Sequence, residues 1–248
     1  MAKAPKAATS GEETSAPTSF LALKKMQGEA FKKLTDDITK MTSAAGREDA
    51  AEWWTPTLDK AGNGMAVIRF LDSPPGESSP FVRLWNHQFK GPTAQWFVEN
   101  SLTTIGQKCP ISEYNQQLWA TGIEANKKFV SEKTKRKLNF FSNILVIKDP
   151  ANPSAEGKVF KYKYGQKIFA KINDKLFPSE EEMAIDPELK PHNIFNLWEG
   201  ANFTLRVRKD GQFPNYDKSE FGPACPVAKT DEEIEKIWKS EYPLQPLV

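Results

Sequence analysis

Two adjacent stretches decide the fold: Phe140-Phe-Ser-Asn-Ile-Leu-Val-Ile-Lys148 and, further along the chain, Gly157-Lys-Val-Phe-Lys-Tyr-Lys-Tyr164. Both are rich in β-branched and aromatic residues, which favour strands. The first stretch ends at Asp149-Pro150, a pair typical of turns, and Pro153 lies in the segment between the two. This pattern predicts two neighbouring β-strands joined by a turn.

Further strand and helix signals lie on both sides of this pair. The glycine-containing turn at residues 61–64 precedes the first of four more predicted strands: Met65–Leu71, Phe81–Asn86, Gln95–Val98 and Asn202–Arg208. Residues 110–130 and 165–175 have helical character, Thr230-Asp-Glu-Glu233 predicts a helix start, and Glu180-Glu-Glu182 reads as a solvated loop. The chain is therefore predicted to be mostly β with helices. The leading candidate is a five-stranded oligonucleotide-binding (OB) barrel.

Positive charge is concentrated in the middle of the chain. Residues 53–175 carry eighteen basic and ten acidic side chains, whereas residues 176–248 carry eight and fourteen. Six cations fall within Lys127–Lys137, opposed only by Glu132, and Phe140 and Phe141 follow closely. Cations attract a phosphate backbone, and flat rings stack on bases that are not hidden in a duplex. The pattern therefore predicts a site for single-stranded nucleic acid.

The orientation of several rings stays open at this level. In Phe160-Lys-Tyr-Lys163 the two rings share one face of a strand and the two lysines share the other, so either face could be the exposed one. Phe213 and Tyr216 follow a basic strand end in a loop, which favours an exposed role for Tyr216. Large rings are commonly buried, so four tryptophans are predicted to be structural: Trp85, Trp96, Trp119 and Trp198.

The chain carries no recognisable catalytic signature. It has neither a Walker-type nor a dinucleotide-binding glycine motif, and neither His87 nor His192 is paired with an evident nucleophile. Cys109-Pro-Ile-Ser112 resembles a metal-binding cysteine pair with its second member replaced, and spacing alone argues against a metal. We therefore predict a binding protein and not an enzyme. The alternatives are a basic scaffold that docks acidic proteins and a metal-dependent single-strand nuclease.

An ordered series of segments resembles one family, the single-stranded DNA-binding (helix-destabilising) proteins of T-even-type tailed bacteriophages. The segments lie between residues 52 and 221: Asp59–Gly64, Ala66–Leu71, Asn86-His87, Lys135–Lys137, Asn143–Val146, Lys148–Pro150, Glu156–Tyr162, Trp198–Phe203 and Asn215–Asp217. The resemblance implies an OB barrel with an added subdomain. It also implies cooperative, sequence-independent binding of single-stranded DNA that protects and unwinds it during phage replication, recombination and repair.

The resemblance assigns roles to particular residues. The family's basic triplet falls on Lys135, Arg136 and Lys137, which with Lys161 and Lys163 are expected to neutralise phosphates. Its stacking rings fall on four residues: Phe140, Tyr162, Phe213 and Tyr216. Its arm for contacts between protomers corresponds to four lysines near the N-terminus: Lys24, Lys25, Lys32 and Lys33.

The resemblance also implies a zinc site of one histidine and three cysteines. This chain keeps His87 and Cys109 but has Ser101 and Ser112 at the other two positions. Because a hydroxyl is a poor substitute for a thiolate, we expect neither zinc nor another cofactor. The subdomain is expected to be held instead by apolar packing around three residues: Ile105, Ile111 and Tyr114.

These observations predict four regions along the chain. Residues 1–19 form a disordered leader, and residues 20–51 form a basic helical arm for self-association. Residues 52–222 form the DNA-binding core, with a subdomain around 87–130. Residues 223–248 lack the long acidic tail through which the family recruits replication and recombination proteins, so that tail is absent or truncated.

Two cysteines, no bilayer-length apolar run and no secretory signal predict a cytoplasmic protein, which the resemblance places in the infected bacterial host.

Overall fold

The computed structural model describes residues 51–186, 189–211 and 213–248. The predictions made for residues 1–50, including the four lysines of the N-terminal arm, lie outside the described residues. Within the described ranges there are nine strands: β1 (Trp53–Trp54), β2 (Gly64–Phe70), β3 (Phe81–Lys90), β4 (Trp96–Asn100), β5 (Lys137–Lys148), β6 (Val159–Tyr164), β7 (Ala201–Asp210), β8 (Phe213–Asn215) and β9 (Glu220–Ala224). The same ranges hold five α-helices: α1 (Pro110–Ala120), α2 (Glu124–Phe129), α3 (Gln166–Leu176), α4 (Glu180–Ile185) and α5 (Asp231–Lys239).

The long strand β5 organises the sheet. Its first half pairs with β3, its second half pairs with β2, and its other edge pairs with β6. The strand order runs β1-β6-β5-β2-β7-β8, with β4 added to β3 and β9 added to β7. Every pair is antiparallel except β1 with β6. No pairing joins the two ends of this order in the described ranges, so the sheet-rich fold with helices is confirmed but the closed OB barrel is not.

The main core lies between one face of this sheet and helix α3. Strand β5 contributes Phe140, Ile144 and Val146, and β6 contributes Tyr162 and Tyr164. Helix α3 packs its own apolar face on them, and the ring of Phe169 stacks on Phe140 with 3.9 Å between centroids. Aromatic pairs of this kind contribute about 0.5–1.5 kcal/mol beyond the burial of their area. The β5–β6 pair predicted from the sequence is therefore the centre of the fold.

The chain's last residues pack on the opposite face of the sheet. We call residues 241–248 the C-terminal strap. Leu244 is buried there against Val82, Leu84 and Phe141. The Asn143 side chain donates to the carbonyl of Tyr242 at 2.8 Å and accepts from its amide at 3.1 Å. These contacts fix the strap across strands β3 and β5.

Two helices have N-terminal caps formed by side chains that the sequence contains just before the first turn. Helix α5 begins after Thr230, whose hydroxyl accepts from the amide of Glu233, as the acidic helix start predicted. The stretch at residues 180–182 is not a loop but the first turn of α4. Ser179 and Glu182 form a reciprocal capping box there. The Ser-x-x-Glu spacing was the signal that the loop interpretation missed.

Beyond Asn86, strand β3 leaves β5 and forms a ribbon with β4 alone. The ribbon is followed by α1, α2 and a π-helical turn, Val130–Thr134, after which the chain enters β5. We call residues 87–134 the ribbon subdomain.

Among the described residues, no helix combines the length and apolar character needed to cross a bilayer.

Candidate nucleic-acid interface

A cleft of about 1350 Å³ opens between the ribbon subdomain and the start of β5. Its lining includes five basic side chains against one acidic side chain, Glu132: Lys90, Lys133, Lys135, Arg136 and Lys137. A concave surface lined by one sign of charge concentrates the field and attracts the opposite charge. The cleft is therefore suited to a polyanion.

Aromatic rings line the same cleft. Trp96 is 61% exposed and Tyr114 is 54% exposed, and Phe129 is also largely open to solvent. The Lys90 ammonium lies 5.4 Å from the centroid of the Trp96 ring. Exposed rings of this size gathered in one concave surface are unusual in a monomer unless they bind something. Rings beside cations can stack on bases while the cations contact the adjoining phosphates.

The basic triplet enters the cleft in two different states. Lys135 and Lys137 are exposed, and the Lys137 ammonium lies 3.3 Å from the Gln88 side-chain oxygen. Arg136 is half-buried, with its guanidinium 4.3 Å from the centroid of the Trp85 ring. The Arg136 Nη1 donates to the hydroxyl of Thr103 at 2.6 Å. The two lysines thus present exposed ammonium groups, whereas the arginine is held between a hydroxyl and a ring.

The two lysines of β6 differ sharply. Lys161 is only 8% exposed and pairs with the Glu52 carboxylate at 2.5 Å, with the rings of Trp53 and Tyr242 within 5.4 Å. It does not line the cleft, and in the structure it forms a partly buried ion pair in place of the predicted phosphate contact. Lys163 is exposed. Partial burial and the neighbouring charge of Lys137 lower its pKa.

Two predicted stacking rings lie in the core. Phe140 and Tyr162 are each 3% exposed, and burial raises the pKa of Tyr162 far above its ordinary value. The ring of Tyr162 packs edge-on against Trp54 at 5.3 Å. Of the two orientations that the strand alternation left open, the rings point inward. In this structure both rings have a packing role in place of the expected stacking role.

The other two predicted rings lie apart from the cleft lining. Phe213 is 76% exposed at the start of β8. Tyr216 packs against the main core, and burial raises its pKa. The structure therefore brings the basic triplet together with Lys163 beside it, but leaves Phe213 and Tyr216 outside the cleft lining.

The sequence interpretation missed the rings that do line the cleft. Trp96 was predicted to be structural, yet it is exposed, as are Trp119 and Trp198, and Trp85 is half-buried. One signal was available. Trp96-Phe-Val98 is apolar on both faces of a strand, and all three residues are exposed on the ribbon. Continuous apolar character suits a strand covered on both sides, so its presence on an open ribbon indicates a binding surface.

The four positions that correspond to the family's zinc site converge in space. The Nε2 atom of His87 lies 3.4 Å from both the Cys109 sulfur and the Ser112 hydroxyl. Burial opposes ionisation of Cys109, but hydrogen bonds from Ser101, Ser112 and His87 outweigh it and lower the pKa of the thiol to about 6.

These residues do not fit a structural zinc ion. Such a site needs four strong ligands, and two of these four positions supply neutral hydroxyls. The described residues hold no cluster of three or more histidine, cysteine or acidic side chains suited to a metal. The expected apolar replacement is wrong, because Ile105 and Tyr114 are about half exposed. Both cysteines are free.

A sheet-rich core bearing a cationic, ring-lined cleft describes a class of proteins that bind polyanions. Comparison with known proteins narrows that class. The family described as gp32 DNA binding protein like matches residues 62–248, and the chain belongs to this family. It is 43% identical over 192 residues to the single-stranded DNA-binding protein of Enterobacteria phage T2, an alignment of 75% of this chain and 59% of that relative.

Two further relatives are also single-stranded DNA-binding proteins of phages. The chain is 42% identical over 209 residues to the single-stranded DNA-binding protein of Enterobacteria phage T4, an alignment of 81% of this chain and 65% of that relative. A shorter match, 48% over 69 residues, is to the single-stranded DNA-binding protein of Escherichia phage SV14. The chain thus spans less than two thirds of the length of the T2 and T4 relatives.

Proposed function

We propose that this protein binds single-stranded DNA, without regard to base sequence, in the cleft between the ribbon subdomain and β5. One observation carries the proposal: exposed rings and five cations line the same concave surface. The family membership and the names of the T2 and T4 relatives support it. The protein acts by binding and performs no chemistry on the strand.

In this proposal, the cations and the rings of the cleft contact different parts of the strand. Exposed ammonium groups, those of Lys133, Lys135 and Lys137, neutralise phosphates. Trp96 and Tyr114 offer ring faces on which bases stack. Every base has such a face, so stacking of this kind tolerates any sequence and contributes about 1–3 kcal/mol per base. A duplex hides those faces, and the cleft therefore favours the unpaired strand.

We also propose the processes in which the protein acts and the contacts that it makes with other proteins. Preferential binding of the single strand shifts the helix–coil equilibrium of DNA by mass action, which destabilises duplexes. We place this activity in phage replication, recombination and repair in the cytoplasm of the bacterial host, with several copies binding side by side. The N-terminal lysines are proposed to contact the neighbouring copy, and a C-terminal tail, where present, to recruit replication and recombination proteins.

The test is a titration of dye-labelled single- and double-stranded oligonucleotides, followed by anisotropy. Trp96→Ala should weaken single-strand binding roughly 5- to 150-fold, which corresponds to the loss of one stacked base. Trp198→Ala is the matched control, because Trp198 is also more than half exposed but does not line the cleft. It should change the affinity less than twofold.

Three outcomes would reject the proposal. Unchanged affinity in Trp96→Ala would show that the ring does not stack on bases. Equal affinity for single and double strands would favour a general polyanion scaffold. Magnesium-dependent shortening of the labelled strand would indicate a nuclease.

A further inference from the structure

The ribbon subdomain buries a cluster of side chains that can form hydrogen bonds. Five of them are over nine-tenths buried: His87, Ser101, Cys109, Asn115 and Thr134. A buried polar group without a partner costs free energy, so such a cluster persists only if its members satisfy one another.

The hydrogen bonds within the cluster join three separate parts of the chain. His87 on β3 donates through Nδ1 to the carbonyl of Thr134 at 3.3 Å, and its Nε2 faces Cys109 and Ser112 at the start of α1. Asn115 of α1 donates to the same Thr134 carbonyl at 2.9 Å, and the Thr134 hydroxyl donates to Asn115 at 2.6 Å. The ribbon, the helix and the turn before β5 are therefore tied together.

The cluster leaves no buried side-chain atom unpaired. Among the described residues, the buried side-chain atoms without a hydrogen-bond partner belong to Arg69, Asn202 and Glu241, none of which is in the cluster. A fully satisfied polar network holds its elements in place without an ion, whereas a partly satisfied one would need a further ligand.

The same network reaches the cleft through one hydroxyl. The Ser101 and Thr103 hydroxyls lie 3.0 Å apart, and the Thr103 hydroxyl accepts from Arg136 at 2.6 Å. Ser101 also neighbours Cys109 and helps to lower the pKa of its thiol. Hydrogen bonds thus run from buried Ser101 through Thr103 to Arg136, whose guanidinium lies over the Trp85 ring.

We propose that this chain closes its ribbon subdomain with a metal-free hydrogen-bonded core, and that Thr103 transmits that order to Arg136. Thr103 is a positioning residue, and Arg136 is the group that meets a phosphate. The first half of the proposal concerns the fold alone. The second half rests on the proposed binding of single-stranded DNA.

The first experiment measures metal in the purified full chain. We expect less than 0.1 equivalent of zinc, an unfolding midpoint unchanged by EDTA, and no thiolate-to-cobalt absorption on addition of Co²⁺. The double variant Ser101→Cys/Ser112→Cys should show that absorption at one equivalent, because the four positions converge on His87. Stoichiometric zinc whose removal lowers the midpoint would overturn the metal-free core. Failure of the double variant to bind Co²⁺ would disprove the convergence.

The second experiment tests the link to Arg136 through the salt dependence of single-strand binding. Thr103→Val should reduce the slope of log affinity against log salt concentration by about 0.7, the loss of one phosphate contact. Thr103→Ser keeps the hydroxyl and should restore the slope. Thr103→Val combined with Arg136→Gln should have the slope of either single variant.

The two proposals fail in distinguishable ways. A wild-type slope in Thr103→Val, with single-strand binding intact, would reject the role of Thr103 alone. Loss of any preference for single strands in the wild-type protein would reject the proposed function, and the metal measurements would still decide the nature of the core.

Discussion

Lys161 and Lys163, two residues apart on β6, show how burial determines the role of a charged side chain. Lys161 is mostly buried, pairs with the Glu52 carboxylate and lies beside the rings of Trp53 and Tyr242. Removing Glu52 would leave the buried Lys161 ammonium uncompensated, so the role of this pair is structural. Lys163 keeps its exposure beside Lys137 and adds to the positive potential near the cleft.

Glu241 has a buried carboxyl group without such a partner. Neither oxygen of its buried carboxyl group has a hydrogen-bond partner within hydrogen-bonding geometry. Burial and, second, the carboxylate of Asp72 raise the pKa of Glu241 from 4.5 to about 9. Folding therefore takes up a proton between these two pH values, and the free energy of unfolding falls as pH rises through that window.

We predict that Glu241→Gln flattens this dependence. The wild-type free energy of unfolding should fall by up to about 1.4 kcal/mol per pH unit from this group between pH 5 and pH 8. The variant lacks the titrating group, so it should be more stable than the wild-type protein at pH 8. Urea unfolding at several pH values measures both slopes, with the exposed Glu232→Gln as control. Parallel pH profiles for Glu241→Gln and wild type would contradict the assignment.

At the scale of elements, the C-terminal strap is held at several points. Leu244 is completely buried against β3 and β5. The carboxylate of Glu77 accepts the backbone amides of Leu244 and Gln245, both at 2.9 Å. Apolar burial and backbone hydrogen bonds therefore act on the same few residues, which makes the strap part of the scaffold.

We predict that Leu244→Ala lowers the free energy of unfolding by about 2–5 kcal/mol, the usual cost of emptying a buried leucine site. The half-open Val248 provides the control within the same strap, and Val248→Ala should cost less than about 0.5 kcal/mol. Chemical denaturation compares the two variants. Similar losses in both would mean that the strap is not packed as described.

Most elements could be predicted from the sequence because their signals are local. Strands β2, β5, β6 and β7 and helix α3 follow from β-branched runs and from apolar periodicity. Barrel closure could not be predicted, since it depends on whether distant sheet edges meet. The inward face of β6 could not be chosen either, because alternation defines two faces but does not say which one helix α3 covers.

At the scale of the whole molecule, the cleft concentrates charge that the chain's formal net charge of +2 conceals. Three segments meet there: the ribbon with Lys90 and Trp96, helix α1 with Tyr114, and the run Lys133–Lys137. The sequence predicted the last of these because its cations are contiguous. It could not predict the other two, because only the tertiary fold brings them beside the basic run.

We predict that Lys135→Ala weakens single-strand binding more at low salt than at high salt. Its log–log salt slope should be smaller than that of the wild-type protein by about 0.7, because one phosphate contact is lost. Lys229→Ala removes an equal charge from an exposed position outside the cleft lining and should leave the slope unchanged. If the two variants behave alike, net charge and not the cleft governs binding.

Strand β5 begins inside the cleft, and that has an entropic consequence. Lys137 is its first residue and sits in register with Asn86, and residues 140–145 further along the strand are paired on both edges. The backbone beneath this cation is already ordered before any ligand arrives. Association then restricts only side-chain rotamers at this point, so little of the attraction to a phosphate is offset by the freezing of main-chain freedom.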